Sequence, residues 1–422
     1  MHIFMINATN TVPDKGGIAS YTHELASHLR EEVQHVTVLT YPLHEGLPPK
    51  DHTLKYSQVR LRSFDFYTVS APSQKRLSPS NVGKIQKLTA KASFYQQAYR
   101  RMAVMAFETC RLVIKHRPAS PDRATVLWAI TWLPEGFVAA LTSMLLRIPY
   151  VVTAHGKEVI LRPNRVSGAT YRWVLGHASR IFAVSHHTAD MLYRSGVPSQ
   201  RVSVIHNGVK ADDFSDTSEE EGCAKAVIER YGLHGKKTMV TIARLVERKG
   251  HENVLQGLRG LREVLPELRY LIVGDGPLMG RLTELVSQWS LEDVVLFTGE
   301  VAEHEKLGIL KACDLFIMPN RDIPLPNGLD TEGFGIAFLE ANACGKPVIG
   351  GNAGGAREAI ADGRTGLLVN PEDPIAIRDA ILRILSDDGL ARSMGEAGRK
   401  RVLEHFQWAT IAKAYLAELK TL

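Results

Sequence analysis

Glu332 and Glu340 stand eight positions apart around a Gly-Phe-Gly turn, Gly333–Gly335, and an apolar run that starts at Ile336. A glycine turn leaves backbone N–H groups accessible, and a helix opening near Ile336 adds its unpaired first-turn donors, so the segment suits an anion. Glu332 falls on the loop and Glu340 about a turn inside the helix, and the two carboxylates can address one ligand from different depths. Carboxylates beside a phosphate need something else to bind, and hydroxyl groups fit. A ligand carrying phosphates and two sets of hydroxyls is a nucleotide sugar. A plain helix start with acidic residues, favoured by the helix dipole, would account for the same residues without any ligand.

A second cluster lies upstream. The apolar strand ending near Ile242 runs into Ala243-Arg244-Leu245-Val246-Glu247-Arg248-Lys249-Gly250, a loop with two cations, Arg244 and Lys249, five residues apart. Arg offers a planar fork for phosphate oxygens and Lys a compact charge. Together with Glu332 and Glu340, this pair resembles the retaining nucleotide-sugar glycosyltransferases of family four, and the likeness extends across most of the chain. The resemblance implies two Rossmann-like domains facing a cleft (the GT-B architecture), and transfer of a hexose with retention. It further implies that Arg244 and Lys249 hold the donor diphosphate, that Glu332 holds the sugar, and that Phe334, Gly335, Ile336 and Glu340 complete the donor site.

Four further segments take roles by the same resemblance. Gly16 and Gly17 follow the first strand and open a helix that ends near Glu32, where two glycines let the backbone approach the donor diphosphate and the acceptor. His155 closes the strand Tyr150–His155 ahead of Gly156; the family places such a histidine on the transferring sugar, and it is not assigned as a general base. Val301, Glu303 and Lys306 lie where the family grips its base. An acid and a cation there would complement the donor edge and carbonyl of guanine, so the reading leans to GDP-mannose, with a UDP-sugar as the alternative. Gly274-Asp275-Gly276-Pro277 follows another strand and resembles a dinucleotide fingerprint. A NAD-dependent oxidoreductase would leave Arg244, Lys249, Glu332 and Glu340 unexplained, whereas the family carries the same Gly-acid-Gly-Pro as part of its nucleotide half, which places Gly276 at the donor. A catalytically silent nucleotide-sugar-binding subunit on the same fold is the other alternative.

These residues need a frame. Short β-branched runs alternate with longer helical patterns along the 422 residues, which predicts doubly wound parallel α/β sheets. The runs are 3–7, 36–41, 125–131, 150–155, 180–184 and 202–206, then 238–242, 269–273, 294–298, 315–318, 347–350 and 366–369. Residues 208–222, rich in Asp, Glu, Ser and Thr, read as a connection between an acceptor-binding domain, 1–207, and a nucleotide-sugar domain, 223–400. The C-terminal 401–422 carries a helix, Trp408–Leu419, which the resemblance sends back onto the first domain. The ligand is then expected in the cleft, outside the carboxyl ends of the strands.

Composition sets the remaining limits. With 45% hydrophobic and 23% charged residues the chain is ordinary for a globular enzyme. Its four cysteines show no C-x-x-C spacing, which speaks against zinc or a disulfide framework. Met1–Asn7 lacks the basic start of a secretory signal, and the apolar run Phe137–Leu146 is too short to span a membrane, so a cytoplasmic protein is expected. No D-x-D motif stands beside a strand end, so neither metal nor cofactor is expected. The net charge of +6 is unevenly placed: residues 73–117 hold ten Lys or Arg against the single Glu108, and the remainder is slightly acidic. Ile85, Leu88, Ala92, Tyr95, Tyr99 and Met102 recur at helical spacing beside Lys84, Lys87 and Lys91, with Arg100 and Arg101 following. Such a helix can lie on an anionic membrane surface at the inner face of the cell and present a lipid-linked or glycan acceptor; packed into a core with a solvated basic face, it needs no membrane. No nucleic-acid module accompanies the charge.

Overall fold

The computed structural model describes residues 1–7, 17–40, 57–60, 81–117, 124–156, 159, 165–210, 218–326 and 328–422; for residues 17, 58–60, 81–95, 165–167 and 218–220 it describes the backbone only. Two parallel sheets carry the molecule. The first comprises β1 (His2–Asn7), β2 (His35–Thr40), β3 (Ser57–Arg60), β4 (Thr125–Ala129), β5 (Tyr150–Ala154), β6 (Arg180–Ala183) and β7 (Val202–Val204), in the order β3-β2-β1-β4-β5-β6-β7. The second comprises β8 (Lys237–Ile242), β9 (Leu268–Val273), β10 (Val295–Gly299), β11 (Leu315–Met318), β14 (Val348–Gly351) and β15 (Gly366–Val369), in the order β10-β9-β8-β11-β14-β15. All twelve predicted strands form, within two residues of their expected ends. Both sheets reverse direction of winding beside their first strand, and each reversal opens a crevice at the carboxyl ends.

Three strands were not anticipated. β3 is a four-residue edge strand without an apolar pattern, and β12 (Ile323–Leu325) and β13 (Gly328–Asp330) form a small antiparallel hairpin after β11. The helix α6 (Ser218–Tyr231) already begins inside the segment read as a connection, and α13 (Asp388–His405) runs through position 400.

Burial follows from strand geometry. Successive side chains point to opposite faces, and in a doubly wound sheet both faces are covered, so whole strands are apolar. Phe4, Ile6, Leu127 and Ala129 enter one core of the first domain, while Ile3, Met5, Val126 and Trp128 enter the other. In the second domain Met239, Tyr270 and Ile272 alternate with Val240, Leu271 and Val273 in the same way.

The helix α14 (Trp408–Leu419) packs back on the first domain. Its apolar stripe, Trp408, Ile411, Ala412, Tyr415, Leu416 and Leu419, joins the first domain's core, against α1 (Gly17–Glu32). Tyr21 donates a 2.8 Å hydrogen bond to the Tyr415 hydroxyl, and the Tyr415 ring lies 4.9 Å from both Trp128 and Phe182. The chain crosses between domains twice at one place: Val209 N–H donates to the Phe406 carbonyl at 2.7 Å, and Gly208 lies flat under the Trp408 ring, where any Cβ would come within 2.6 Å. Tyr415→Ala removes a fully buried ring and a buried partner of Tyr21. It is expected to destabilise the first domain by about 3–5 kcal/mol, read as a shift in its denaturant midpoint.

Candidate active site

The site assembles at the carboxyl ends of β8 and β11, the point where the second sheet reverses its order. Arg244 sits on the loop after β8, with an exposed guanidinium that makes no hydrogen bond or ion pair among the described residues. That loop is held from below by glycines. Leu245 N–H donates to the Asp275 carbonyl at 2.9 Å, and a Cβ on Gly276 would lie 2.5 Å from the Leu245 carbonyl oxygen. A Cβ on Gly274 would come within 2.2 Å of the Ala243 carbonyl. The Gly-x-Gly that resembled a dinucleotide fingerprint is thus explained by backbone packing beneath the Arg244 loop, and Gly276 positions that loop.

Lys249 ends a short turn of 3-10 helix, Glu247–Lys249, and its ammonium donates to Glu332 Oε2 at 2.6 Å. The side chains are only 10% and 13% exposed, so this is a buried pair whose geometry is fixed. Arg248, which sequence reasoning passed over, sends its Nε to 3.8 Å from the same carboxylate and 3.6 Å from Asp330. Sitting one residue before the lysine already chosen, it carried no signal of its own.

Gly335 caps α10 (Ile336–Ala343) in the left-handed conformation, φ +94°, which an L side chain rarely adopts. The loop and helix therefore begin where the sequence placed them. Glu340 is paired too: Lys306, on α9 (Glu303–Ala312), donates to Glu340 Oε1 at 3.1 Å and approaches Glu303 at 2.5 Å. Burial works against the Lys306 charge, but the Glu340 and Glu303 carboxylates outweigh it and hold the ammonium above the usual lysine range. Val301 and Ile336 are half-buried against the second domain's core. Phe334 is fully packed, its ring stacked 5.0 Å from His206, so any part it takes in ligand contact falls to its backbone.

The first domain contributes His155. Its Nε2 lies 3.0 Å from the Ile130 carbonyl, and Tyr21 meets its ring edge-on at 4.9 Å. A carbonyl only accepts, so Nε2 carries a proton. The residue that follows is Gly156, φ +116°, and a Cβ there would lie 2.8 Å from the Gly333 Cα. Conversely, a Cβ on Gly333 would fall 1.8 Å from the His155 carbonyl oxygen. The two halves of the site thus touch backbone to backbone.

Gly16 lies outside the described residues, and Gly17 is the first residue of α1. Lys84, Lys87 and Lys91 fall on α2 (Asn81–His116), with side chains outside the described residues. The apolar stripe read as a membrane face turns inward at its described end: Met102 is buried and Tyr99 packs 5.5 Å from Phe137. Arg100 is exposed and Arg101 half-buried. Among the described residues no group of three or more His, Cys, Asp or Glu is placed to hold a metal ion, and no helix is long and apolar enough to cross a membrane.

Residues 226–401 match the family described as glycosyl transferases group 1, and residues 16–208 match the glycosyl transferase 4-like domain. The chain is 35% identical over 64% of its length to a GDP-mannose-dependent α-(1-6)-phosphatidylinositol monomannoside mannosyltransferase of Mycolicibacterium smegmatis, covering 69% of that protein. It is 29% identical over 95% of its length to the protein of the same description from Mycobacterium tuberculosis, covering 93% of it. Among solved structures it resembles an Anabaena protein in complex with UDP and glucose, with a TM-score of 0.73 and 19% identity over the whole of both chains.

His251, directly after Gly250, adds a pH-dependent element. Both ring nitrogens are buried without a hydrogen-bond partner among the described residues, and burial, with the Lys249 charge adding to it, pushes its pKa down to about 3. A histidine depressed in the folded state contributes stability above its unfolded pKa near 6.5, which is lost as pH falls from there towards 3. Acidification from pH 6.5 to 5 is expected to cost on the order of 2 kcal/mol at this residue. In His251→Met, the slope of thermal midpoint against pH over that interval should flatten.

Proposed function

The chain belongs to the group 1 glycosyltransferases, and on that premise we propose that it transfers mannose, with retention, from GDP-mannose to a hydroxyl of a lipid-linked or glycan acceptor. The observation that carries this reading is the buried Lys249–Glu332 pair beside the exposed Arg244, at the strand ends where such ligands bind. The two relatives described as GDP-mannose-dependent support the choice of donor.

In this reading Arg244 and Lys249 take the diphosphate, and the first turn of α10 adds backbone N–H groups. An ammonium has three donors, so Lys249 keeps Glu332 in place with one and has others for phosphate oxygens. Glu340, oriented by Lys306, addresses the ribose, and Glu303 with Lys306 the guanine edge. His155 and Glu332 orient the sugar from the two sides of the cleft. Glu332 and Glu340 are both engaged by lysines, so neither is assigned as a nucleophile. The acceptor hydroxyl then attacks on the face from which the diphosphate leaves, and the leaving phosphate takes its proton. The protein's work is positional and electrostatic. The protein cations would neutralise the leaving group, and no metal is invoked.

The acceptor side rests on a different surface. Val104, Phe107 and Ile114 are exposed on one face of α2, Phe107 to 70%, with Arg100 one turn before them and Arg111 among them. Met144 and Leu145 are exposed at the end of the neighbouring α3 (Phe137–Leu146), next to Arg147. Apolar side chains interleaved with arginines suit an anionic lipid surface, each basic residue near it contributing about 1 kcal/mol. This supports a peripheral enzyme on the inner face of the cell membrane.

GDP and GDP-mannose should raise the thermal midpoint of the purified chain, and UDP, UDP-glucose and NAD should not. Arg244→Ala should lose about 1.5–3 kcal/mol of GDP binding, roughly a tenfold to hundredfold rise in Kd by calorimetry. Stabilisation by UDP alone, or by NAD, would overturn the donor assignment. In a flotation assay the chain should bind phosphatidylglycerol vesicles and not phosphatidylcholine vesicles, and Phe107→Asp with Ile114→Asp should abolish binding.

A further inference from the structure

The helix α5 (His186–Arg194) of the first domain is capped by two residues, one from each domain. Its own Ser185 accepts from the Thr188 N–H at 3.0 Å, the usual arrangement for a helix start. The N–H groups of His186 and His187 are instead taken by Glu358, from α11 (Ala356–Ala359) in the second domain, at 2.8 Å to Oε2 and 3.0 Å to Oε1. Glu358 Oε2 also accepts from His206 Nε2 at 3.0 Å.

Around this carboxylate the contacts converge on the donor loop. The Ser185 hydroxyl donates to the Gly333 carbonyl at 2.6 Å. Thr331 Oγ1 and His187 Nε2 are 3.1 Å apart, and the His206 ring stacks on Phe334. Gly355 N–H donates to the Glu332 carbonyl at 2.8 Å, so the segment that carries Glu358 also supports the catalytic glutamate. From behind, Arg401 donates to the Glu358 and Ala359 carbonyls, which fixes α11 to α13. Burial alone would raise the Glu358 pKa, but the His206 hydrogen bond and the two backbone N–H groups outweigh it and hold the carboxyl below the usual glutamate range.

The reaction scheme gives Glu358 no contact with donor or acceptor. We propose that it is a positioning residue of the transfer reaction: by capping α5 from across the domain boundary, it holds the domains in the closed arrangement that lays Gly333 on His155. The nucleotide groups, Arg244, Lys249, Lys306 and Glu340, all lie in the second domain, whereas His155 lies in the first. Releasing the cap therefore leaves nucleotide binding intact and separates His155 from the sugar. The catalytic half of this inference rests on the glycosyl-transfer reading; the conformational half does not.

The test uses the full chain with Glu358→Ala and Glu358→Gln, and Asp388→Asn as a control that breaks only the exposed pair with Lys237. Small-angle scattering without ligand should give a larger radius of gyration for Glu358→Ala than for wild type or control. Glu358→Gln, which keeps one oxygen for His186 and His206 but turns an amide towards His187 N–H, should fall between them. With GDP-mannose and an acceptor, kcat should drop about tenfold or more while GDP affinity and donor KM stay within about twofold. Unchanged scattering in both variants overturns the proposal. A lowered thermal midpoint with unchanged scattering and unchanged kcat also overturns it, as a purely structural role would give that result. A larger radius in the variants alongside a wild type inert towards GDP-mannose would uphold the cap and remove the donor reading instead.

Discussion

The site depends on a contact that no side chain could enter. Gly333 of the second domain lies against the His155 carbonyl of the first, and Gly156 lies against Gly333 in return. Because the approach is backbone on backbone, the relative position of His155 and Glu332 is set by main-chain geometry and not by flexible side chains. Any larger residue at either glycine would wedge the cleft open. The hydrogen bonds that flank this contact, from Ser185 to Gly333 and from His186 and His187 to Glu358, keep the two surfaces in register.

Within that frame the charges come in matched sets. Lys249 faces Glu332, Arg248 lies between Glu332 and Asp330, and Lys306 joins Glu340 to Glu303. The pairing holds cations close to one another that would otherwise repel, at the cost of little net positive field. A diphosphate entering such a site is recognised by directed donors more than by bulk attraction. Arg244 stands exposed on a loop stiffened by Gly274 and Gly276, with no ion pair among the described residues.

Much of this was legible in the residues because local and global signals agree. The apolar runs of buried parallel strands are continuous, and the helix starts at Gly17 and Ile336 follow glycines, so both were placed well. What escaped has physical reasons. β3 is a short edge strand whose sequence, Ser-Gln-Val-Arg, holds a single apolar residue, and the β12–β13 hairpin holds three residues a side and contains Pro324. The α2 stripe has helical spacing, but spacing does not say whether an apolar face meets lipid or protein; the described end meets α3. Glu358 was invisible for a different reason. Two of its partners are backbone amides more than 170 positions away, which have no residue identity to read.

The return of α14 has a consequence for biogenesis. The first domain's core includes Trp408, Tyr415, Leu416 and Leu419, so a domain made early is finished by a helix made after the whole second domain. While the ribosome is still translating, the nascent amino-terminal half has no cover for the groove that α14 fills, and Trp128 and Phe182 lack their partner ring. Domains that emerge first usually fold first. Here the amino-terminal half must wait, its apolar groove open to chaperones, until α14 has been made and both crossings can close together at Val209 and Phe406.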